Sequence, residues 1–302
     1  MSHRHIGFSR LGYALLALLA LGWGFNWPVM KIVLQDVPPL TFRGVCLLAG
    51  GIGVLLLAHL AGQRITLPRV QWSRLTMLAA CNIVGWNVFA IYGVGLLPSG
   101  RAALLGYTMP LWSMTLSIWL LNDKLDSRRI AGLALGMAGI LVLMGDDLQV
   151  MSGALIGVVC MLGAAFCWGL GVVLLKRYAL KLPTIALTGW MMIVGGVPIT
   201  LAAIVLEHDA WRPISLYPAL GVAYNIVVAF MFCYWAWNRI VLMVPVAVAS
   251  LSSLITPVIG VLSGIWLLGE QPSWQEFAAG ALILAAIALV LRAPRAPAPV
   301  GA

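Results

Sequence analysis

Charged residues divide this chain of 302 residues into long uncharged stretches, and ten of those stretches contain at least fifteen residues. They are 11–30, 44–63, 75–100, 102–122, 130–145, 148–175, 182–206, 213–238, 240–269 and 277–291. About 20 apolar residues are needed to cross the hydrocarbon core of a bilayer, and most of the ten stretches approach or exceed that length. With 62% hydrophobic and 9% charged residues, the composition also excludes a soluble fold. The sequence therefore predicts ten membrane spans.

Several of these stretches repeat at a fixed offset. The pairs Pro98 and Pro245, Pro110 and Pro257, Trp119 and Trp266, and Asp123 and Glu270 are all separated by 147 residues. Trp23-Gly24 returns as Trp168-Gly169 after 145 residues. Because each copy would hold five spans, an odd number, the second copy must be inverted relative to the first. We therefore expect an all-α integral membrane fold of ten transmembrane helices, arranged as two inverted five-helix repeats around a central cavity.

Lysine and arginine indicate the orientation, because basic residues resist transfer out of the cytoplasm. Fourteen of them lie on one predicted side, and only Lys31, Arg43, Arg101 and Arg212 lie on the other. Both termini are thus predicted to be cytoplasmic, and the net charge of +9 needs no nucleic-acid partner. The predicted order is a cytoplasmic arm (1–10), the first repeat (11–145), a periplasmic linker (146–151), the second repeat (152–292) and a disordered cytoplasmic tail (293–302).

Prolines and polar side chains inside the spans are candidates for gating and binding. Proline lacks an N–H and frees a carbonyl one turn back, so Pro98, Pro110, Pro245 and Pro257 are predicted helix kinks. Asn82, Trp86 and Phe89 recur at helical spacing, which predicts one shared face. The Asn82 amide either bonds a neighbouring helix or faces a wet cavity. The hydroxyl groups just before Pro257 either bond the carbonyl that this proline frees or form a polar patch. The aromatic run 230–237 is typical of interfacial anchors.

The second half contains the run VASLSSLITPVIGVLSGIWLLGE, followed by Gly280 in the last predicted helix. With Trp23-Gly24, the Pro38-Pro39 turn and Pro98 with Pro110, this pattern resembles the EamA domain of the drug/metabolite transporter superfamily over residues 11 to 292. Within that superfamily the chain is most similar to the YddG-type exporters of aromatic and other amino acids. It departs from the domain pattern at Asp123, where a glutamate usually stands, and at Met109, where a glutamate often precedes the proline.

The resemblance implies a basket of helices whose cavity is lined by spans one to four and six to nine, with spans five and ten peripheral. It implies an alternating-access exporter of aromatic and other neutral amino acids in a bacterial inner membrane. Polar and aromatic residues at middle depth suit such an amphipathic substrate. The expected substrate-binding residues are Trp23, Asn26, Asn82, Trp86, Tyr107, Trp168, Tyr224, Ser252 and Ser253, with Arg43 and Arg101 attracting carboxylates at the outer mouth.

The predicted spans lack the residue patterns that usually bind ions, metals or cofactors inside a membrane protein. No Asp or Glu falls well inside a predicted span, so we expect facilitative export without ion coupling. The five cysteines lack metal-type spacing, and neither a metal nor a cofactor is expected. Partners are then a small-molecule substrate and the lipid bilayer, with the chain acting as a monomer. The rival functions are a sugar-phosphate, nucleotide-sugar or drug transporter of the same superfamily and, from another class, a membrane-embedded transferase.

Overall fold

The computed structural model describes residues 10–121, 127–147, 152–178, 180–237 and 255–291. Every regular element in these ranges is helical, and they contain no β-strand. This agrees with the hydropathy, because a helix satisfies its backbone hydrogen bonds internally where water is absent. The prediction of an all-α fold is confirmed.

The first half of the chain is built from seven α-helices and two short segments of other helical types. A 3₁₀ turn at Arg69–Gln71 precedes α3, and a π-helical stretch, here called the first π segment (Ala80–Gly85), joins α3 to α4. The α-helices are α1 (Arg10–Val33), α2 (Pro39–Leu60), α3 (Trp72–Ala79), α4 (Trp86–Leu96), α5 (Ser99–Gly106), α6 (Met109–Leu121) and α7 (Ser127–Asp147).

The second half follows a related plan. A 3₁₀ turn spans His208–Ala210, and a second π segment (Asn225–Phe232) runs on into helical residues 233–237. The α-helices are α8 (Ser152–Arg177), α9 (Thr184–Leu206), α10 (Leu216–Tyr224), α11 (Ile255–Leu268) and α12 (Trp274–Leu291). The two π segments begin 145 residues apart, the offset that also relates Trp23 to Trp168.

Six helical runs within the described ranges are long and apolar enough to cross a membrane. They are Ala14–Val33, Pro39–Leu60, Arg69–Leu96, Leu155–Leu175, Thr184–Leu206 and Leu216–Trp237. Shorter apolar helices lie at Ile130–Gly139, Thr256–Leu268 and Trp274–Ala286. The chain is therefore a multi-pass membrane protein.

Glycines allow α2 and α9 to pack closely against each other in opposite directions. A Cβ added at Gly44 would lie 2.5 Å from the Thr200 hydroxyl oxygen. One added at Gly51 would lie 3.0 Å from the Cβ of Met192. Since the later residue of α2 faces the earlier residue of α9, the two helices are antiparallel. Small residues at a helix contact favour this close packing in a membrane, where apolar surface alone drives little association.

A glutamate at the end of α9 caps the beginning of α2. The residue before α2 is Pro38, whose side chain carries no hydrogen-bond acceptor. Instead, Glu207 accepts hydrogen bonds from the backbone N–H groups of Leu40 (2.9 Å) and Thr41 (2.7 Å) and from the Thr41 hydroxyl (2.8 Å). A carboxylate at this position satisfies first-turn donors and interacts favourably with the helix dipole.

The same arrangement occurs where α11 ends beside the start of α5. Pro98 precedes α5 and likewise offers no capping side chain. Glu270 accepts hydrogen bonds from the Ser99 N–H (2.6 Å), the Ser99 hydroxyl (2.9 Å) and the Gly100 N–H (3.3 Å). Pro98 therefore starts a helix, where its missing N–H costs nothing, and the prediction of a kink at this residue is corrected.

Candidate functional site

A cavity lies between α1, α2, α4, α8, the second π segment and the junction of α5 with α6. The cavity volume open to the centres of water molecules is about 70 Å³, which is enough for roughly five waters. It is lined by Trp23, Asn26, Trp27, Met30, Arg43, Trp86, Asn87, Ala90, Tyr107, Met109, Trp168, Ala229, Phe230 and Tyr234. The cavity is thus wide enough for a small polar molecule, and its walls are mainly aromatic and apolar.

Aromatic rings form a continuous wall around Tyr234. Trp23 meets the Tyr234 ring edge to face at a centroid distance of 5.7 Å, and Phe230 stacks on it at 5.7 Å. Trp168 lies 6.1 Å from Tyr234 and contacts Trp86 at 5.1 Å. Such contacts fix the ring orientations, so the wall presents preformed π faces to a substrate.

Two hydrogen bonds attach α1 to the span that carries the second π segment. The Trp23 indole N–H donates to the Ala229 carbonyl at 3.2 Å. The Tyr224 hydroxyl donates to the Gly22 carbonyl at 2.7 Å. Tyr224 was an expected substrate ligand, but it lies outside the lining of the cavity, and its hydroxyl positions Trp23 instead.

The third span, which includes the first π segment, contributes part of the lining. A π turn holds an extra residue, so the residues after it are rotated relative to a regular α-helix. Asn82, within this segment, is buried with its amide against Gly171, and Phe89, after it, is 42% exposed. Asn87 takes a place in the lining beside Trp86, and its side-chain amide donates to the Ile83 carbonyl at 2.9 Å. Asn82 meets Gly171, Trp86 contacts Trp168 and the Phe89 ring lies beside Gly163, so all three face α8 and their predicted shared face is confirmed. Of the three, Trp86 alone belongs to the lining formed by the described residues.

Arg43 belongs to the lining of the cavity and is only 3% exposed, although a place at the outer mouth was expected. Its guanidinium lies 4.9 Å from the centre of the Phe42 ring and 5.8 Å from that of Phe230. One terminal N–H group donates to the Asn225 side-chain oxygen at 3.4 Å, and the other contacts the Met30 sulfur. Arg101, the other expected mouth residue, is buried within α5 and lies outside the lining formed by the described residues.

The fourth span is interrupted beside the cavity. Between α5 and α6 the chain turns at Tyr107 and Thr108, immediately before Pro110. The Thr108 N–H donates to the Leu105 carbonyl at 3.1 Å, a tighter turn than an α-helix makes. Tyr107 lines the cavity at this break. Pro257 lies in α11, two residues after the first described residue of that helix, while Pro245, Ser252 and Ser253 fall outside the described residues.

Sequence reasoning missed more than half of the lining. Residue type alone gave no reason to select Trp27, Met30, Ala90 or Met109 from so many apolar residues. Phe230 and Tyr234 were expected to be interfacial anchors, yet both face the cavity. A signal was present: Asn87 and Tyr234 are separated by 147 residues, the offset of the proline pairs, and both reach the lining.

Membrane-spanning helices around a cavity with aromatic walls and a few polar groups are characteristic of small-molecule transporters. Comparison with known proteins agrees with that class. The EamA-like transporter family matches residues 10–145 and 155–292. The chain belongs to this family.

Two relatives match almost the whole chain. A probable amino-acid metabolite efflux pump of Salmonella typhimurium is 27% identical over 92% of this chain and 94% of its own length. The uncharacterized inner membrane transporter YedA of Escherichia coli is 29% identical over 92% of this chain and 89% of its own. A protein crystal structure with 20% identity superposes with a TM-score of 0.68 over 94% of this chain and 97% of that chain, which supports the fold alone.

Proposed function

We propose that the protein exports aromatic and other neutral amino acids across a bacterial inner membrane. The observation that carries the proposal is the cavity, where Trp23, Trp86, Trp168 and Tyr234 surround a space that also contains polar groups. Aromatic faces stack on apolar or aromatic side chains and attract an ammonium group. Polar groups among them suit the charged end of an amino acid. The name of the Salmonella relative points to the same substrate class.

The proposal includes ten transmembrane helices in two inverted repeats of five, with both termini in the cytoplasm. Antiparallel packing of α2 on α9 supports it, because these helices hold corresponding places in the two halves and an inverted repeat requires such pairs to run oppositely. α7 and α12 are a further corresponding pair: a Cβ added at Gly139 would lie 3.2 Å from the Ala279 carbonyl oxygen. Neither of them contributes to the described lining.

Transport is proposed to be facilitative. The lining contributed by the described residues contains no Asp or Glu, the side chains that usually bind protons or sodium inside membranes. Glu207 and Glu270 are each engaged with backbone donors of another helix. The substrate's own gradient then provides the driving force, with a monomer as the working unit.

Transport by the purified protein in liposomes tests this function. Radiolabelled phenylalanine, tryptophan, alanine, a nucleotide sugar and a sugar phosphate would be compared in counterflow. We expect counterflow of the amino acids, unchanged when ionophores collapse the pH and sodium gradients. Counterflow restricted to sugar phosphates or nucleotide sugars would reject the amino-acid assignment, and strict dependence on either ion gradient would reject facilitative export.

This cavity is less suitable for a sugar phosphate than for an amino acid. A phosphate dianion is usually met by several basic side chains. Among the described lining residues Arg43 is the only cationic one. A single guanidinium matches one carboxylate better than a dianion.

A further inference from the structure

We propose that Arg43 is the carboxylate-binding group of the cavity, so that a substrate must carry an anionic group to bind tightly. The inference deepens the proposed function, on which it rests for treating this cavity as the transport site. It names the part of the substrate that is recognised and the side chain that recognises it.

The guanidinium is held at the cavity by groups that carry no charge. Asn225 accepts one hydrogen bond from it at 3.4 Å, which is long for a bond to a cation. Met30 and the two phenyl rings complete its surroundings. Asn225 is itself fixed, since its side-chain amide donates to the Gly221 carbonyl at 3.0 Å. The arrangement orients the guanidinium without neutralising it.

Part of the donor capacity of Arg43 is unused. Its Nε is buried and has no hydrogen-bond partner among the described residues. No described carboxylate lies within ion-pair distance of it. Burying a cation without a counter-charge is costly, and within membranes such residues usually face a cavity and serve function. A planar carboxylate that enters the cavity would supply both the missing charge and an acceptor for Nε.

A second unpartnered group suits the opposite end of a zwitterion. Asn26 lines the same cavity, and its side-chain oxygen is buried without a donor among the described residues. An ammonium group offers three donors and no acceptor, so it matches this oxygen. Arg43 and Asn26 together leave one donor site and one acceptor site open, which is the pattern that an α-amino acid fills.

A purely structural arginine is the competing explanation, because cation–π contacts alone can hold a guanidinium. The two explanations differ in which ligands a substitution affects. A structural role predicts equal losses for all ligands, whereas a carboxylate anchor predicts losses only for ligands that carry a carboxylate.

The experiment uses the purified full chain in detergent and follows the quenching of tryptophan fluorescence by three probes. Phenylalanine has both charged groups, 3-phenylpropionate has only the carboxylate, and phenethylamine has only the ammonium. The variants are Arg43→Met, Arg43→Lys and Asn225→Asp. Arg64→Met is the matched control, because Arg64 is an exposed arginine that bonds only the Thr66 hydroxyl among described partners.

Arg43→Met should bind phenylalanine and 3-phenylpropionate about tenfold to a hundredfold more weakly, the loss expected for a hydrogen-bonded charge pair. Binding of phenethylamine should change less than threefold, and Arg43→Lys should be intermediate. Asn225→Asp keeps the arginine but places a carboxylate beside it, so it should compete with the ligand's carboxylate and weaken the same two probes. It therefore tests the role even if Arg43→Met fails to fold.

Equal losses for all three probes, or unchanged binding in Asn225→Asp, would overturn the inference. So would a wild-type protein that binds neither carboxylate probe. Failure of the proposed function is a separate result. If the wild type transports no amino acid in liposomes but binds 3-phenylpropionate in an Arg43-dependent manner, the export function is wrong and the anion site stands.

Discussion

Replacing Glu207 by alanine tests whether a carboxylate at the end of one helix caps another helix in the opposite half of the chain. Glu207 is 9% exposed and accepts three hydrogen bonds at the start of α2. The first-turn donors have no substitute acceptor nearby in the chain, because Pro38 occupies the capping position. The substitution should therefore destabilise the protein without touching the cavity.

The magnitude follows from the donors that lose their acceptor. A buried donor left unpaired costs roughly 1–3 kcal/mol, and loss of a helix cap costs roughly 0.5–2 kcal/mol. The Leu40 N–H is buried and bears the full cost, while the Thr41 groups are half-buried and can recover part of theirs from water. We expect Glu207→Ala to lower the free energy of unfolding by about 2–4 kcal/mol. Glu207→Gln keeps one acceptor and should lose about half of that.

Unfolding in mixed micelles with increasing SDS measures this free energy. Asp209→Ala is the control: its carboxylate is two residues away but 92% exposed, and it lies 2.9 Å from the His208 ring nitrogen at the surface. Surface substitutions of that kind usually change stability by less than about 0.5 kcal/mol. If Glu207→Ala and Asp209→Ala unfold at the same SDS fraction, the capping role is refuted.

Three other substitutions test separate features. Glu270→Ala should lower the free energy of unfolding by about 2 kcal/mol in the same assay, and a loss below about 0.5 kcal/mol would contradict its capping role at α5. Trp168→Ala should reduce transport of phenylalanine more than transport of alanine. The control Trp119→Ala, at an 81% exposed site, should affect neither substrate. Equal losses of phenylalanine and alanine transport in Trp168→Ala would indicate a packing role. Hydrogen bonds from the Ser215 hydroxyl and N–H lower the pKa of the exposed Asp36 carboxyl. Because its pKa is lower in the folded state, the ionised Asp36 carboxylate stabilises the fold above the unfolded-state pKa, and this stability is lost as the pH falls through the folded-state pKa. Asp36→Asn should therefore destabilise the protein at pH 7 and match wild type well below about pH 4. A difference in stability that persists at that low pH would contradict the role of Asp36.

The distribution of charge predicted where the helices are. Each uncharged stretch of the sequence coincides with a helix or an interrupted pair of helices in the part of the chain that the structure describes. The positions of charged residues predicted the start of the second span less accurately. Its uncharged stretch starts after Arg43, but α2 begins at Pro39 and carries Arg43 a full turn inside. The Pro38-Pro39 pair was the better signal, because proline favours the first position of a helix.

The residues that line the cavity were only partly predictable from the sequence. The duplicated tryptophans Trp23 and Trp168 were selected from the repeat, and both reach the lining. Asn82 was selected for its amide beside aromatic rings and does not, because its side chain packs against Gly171 of α8. Such a contact depends on how neighbouring helices pack, which local sequence does not encode. Asn225 stood out in the sequence as a polar residue at depth, but its hydrogen bond with Arg43 is seen only once the two halves are placed together.

Contacts that build the site cross between the two halves of the chain. Trp23 of the first half meets Tyr234 of the second, and Trp168 of the second meets Trp86 of the first. Arg43 depends in the same way on Asn225. Side chains of each half are therefore held in position by residues of the other half, so a substitution in one half can displace a cavity residue that belongs to the other.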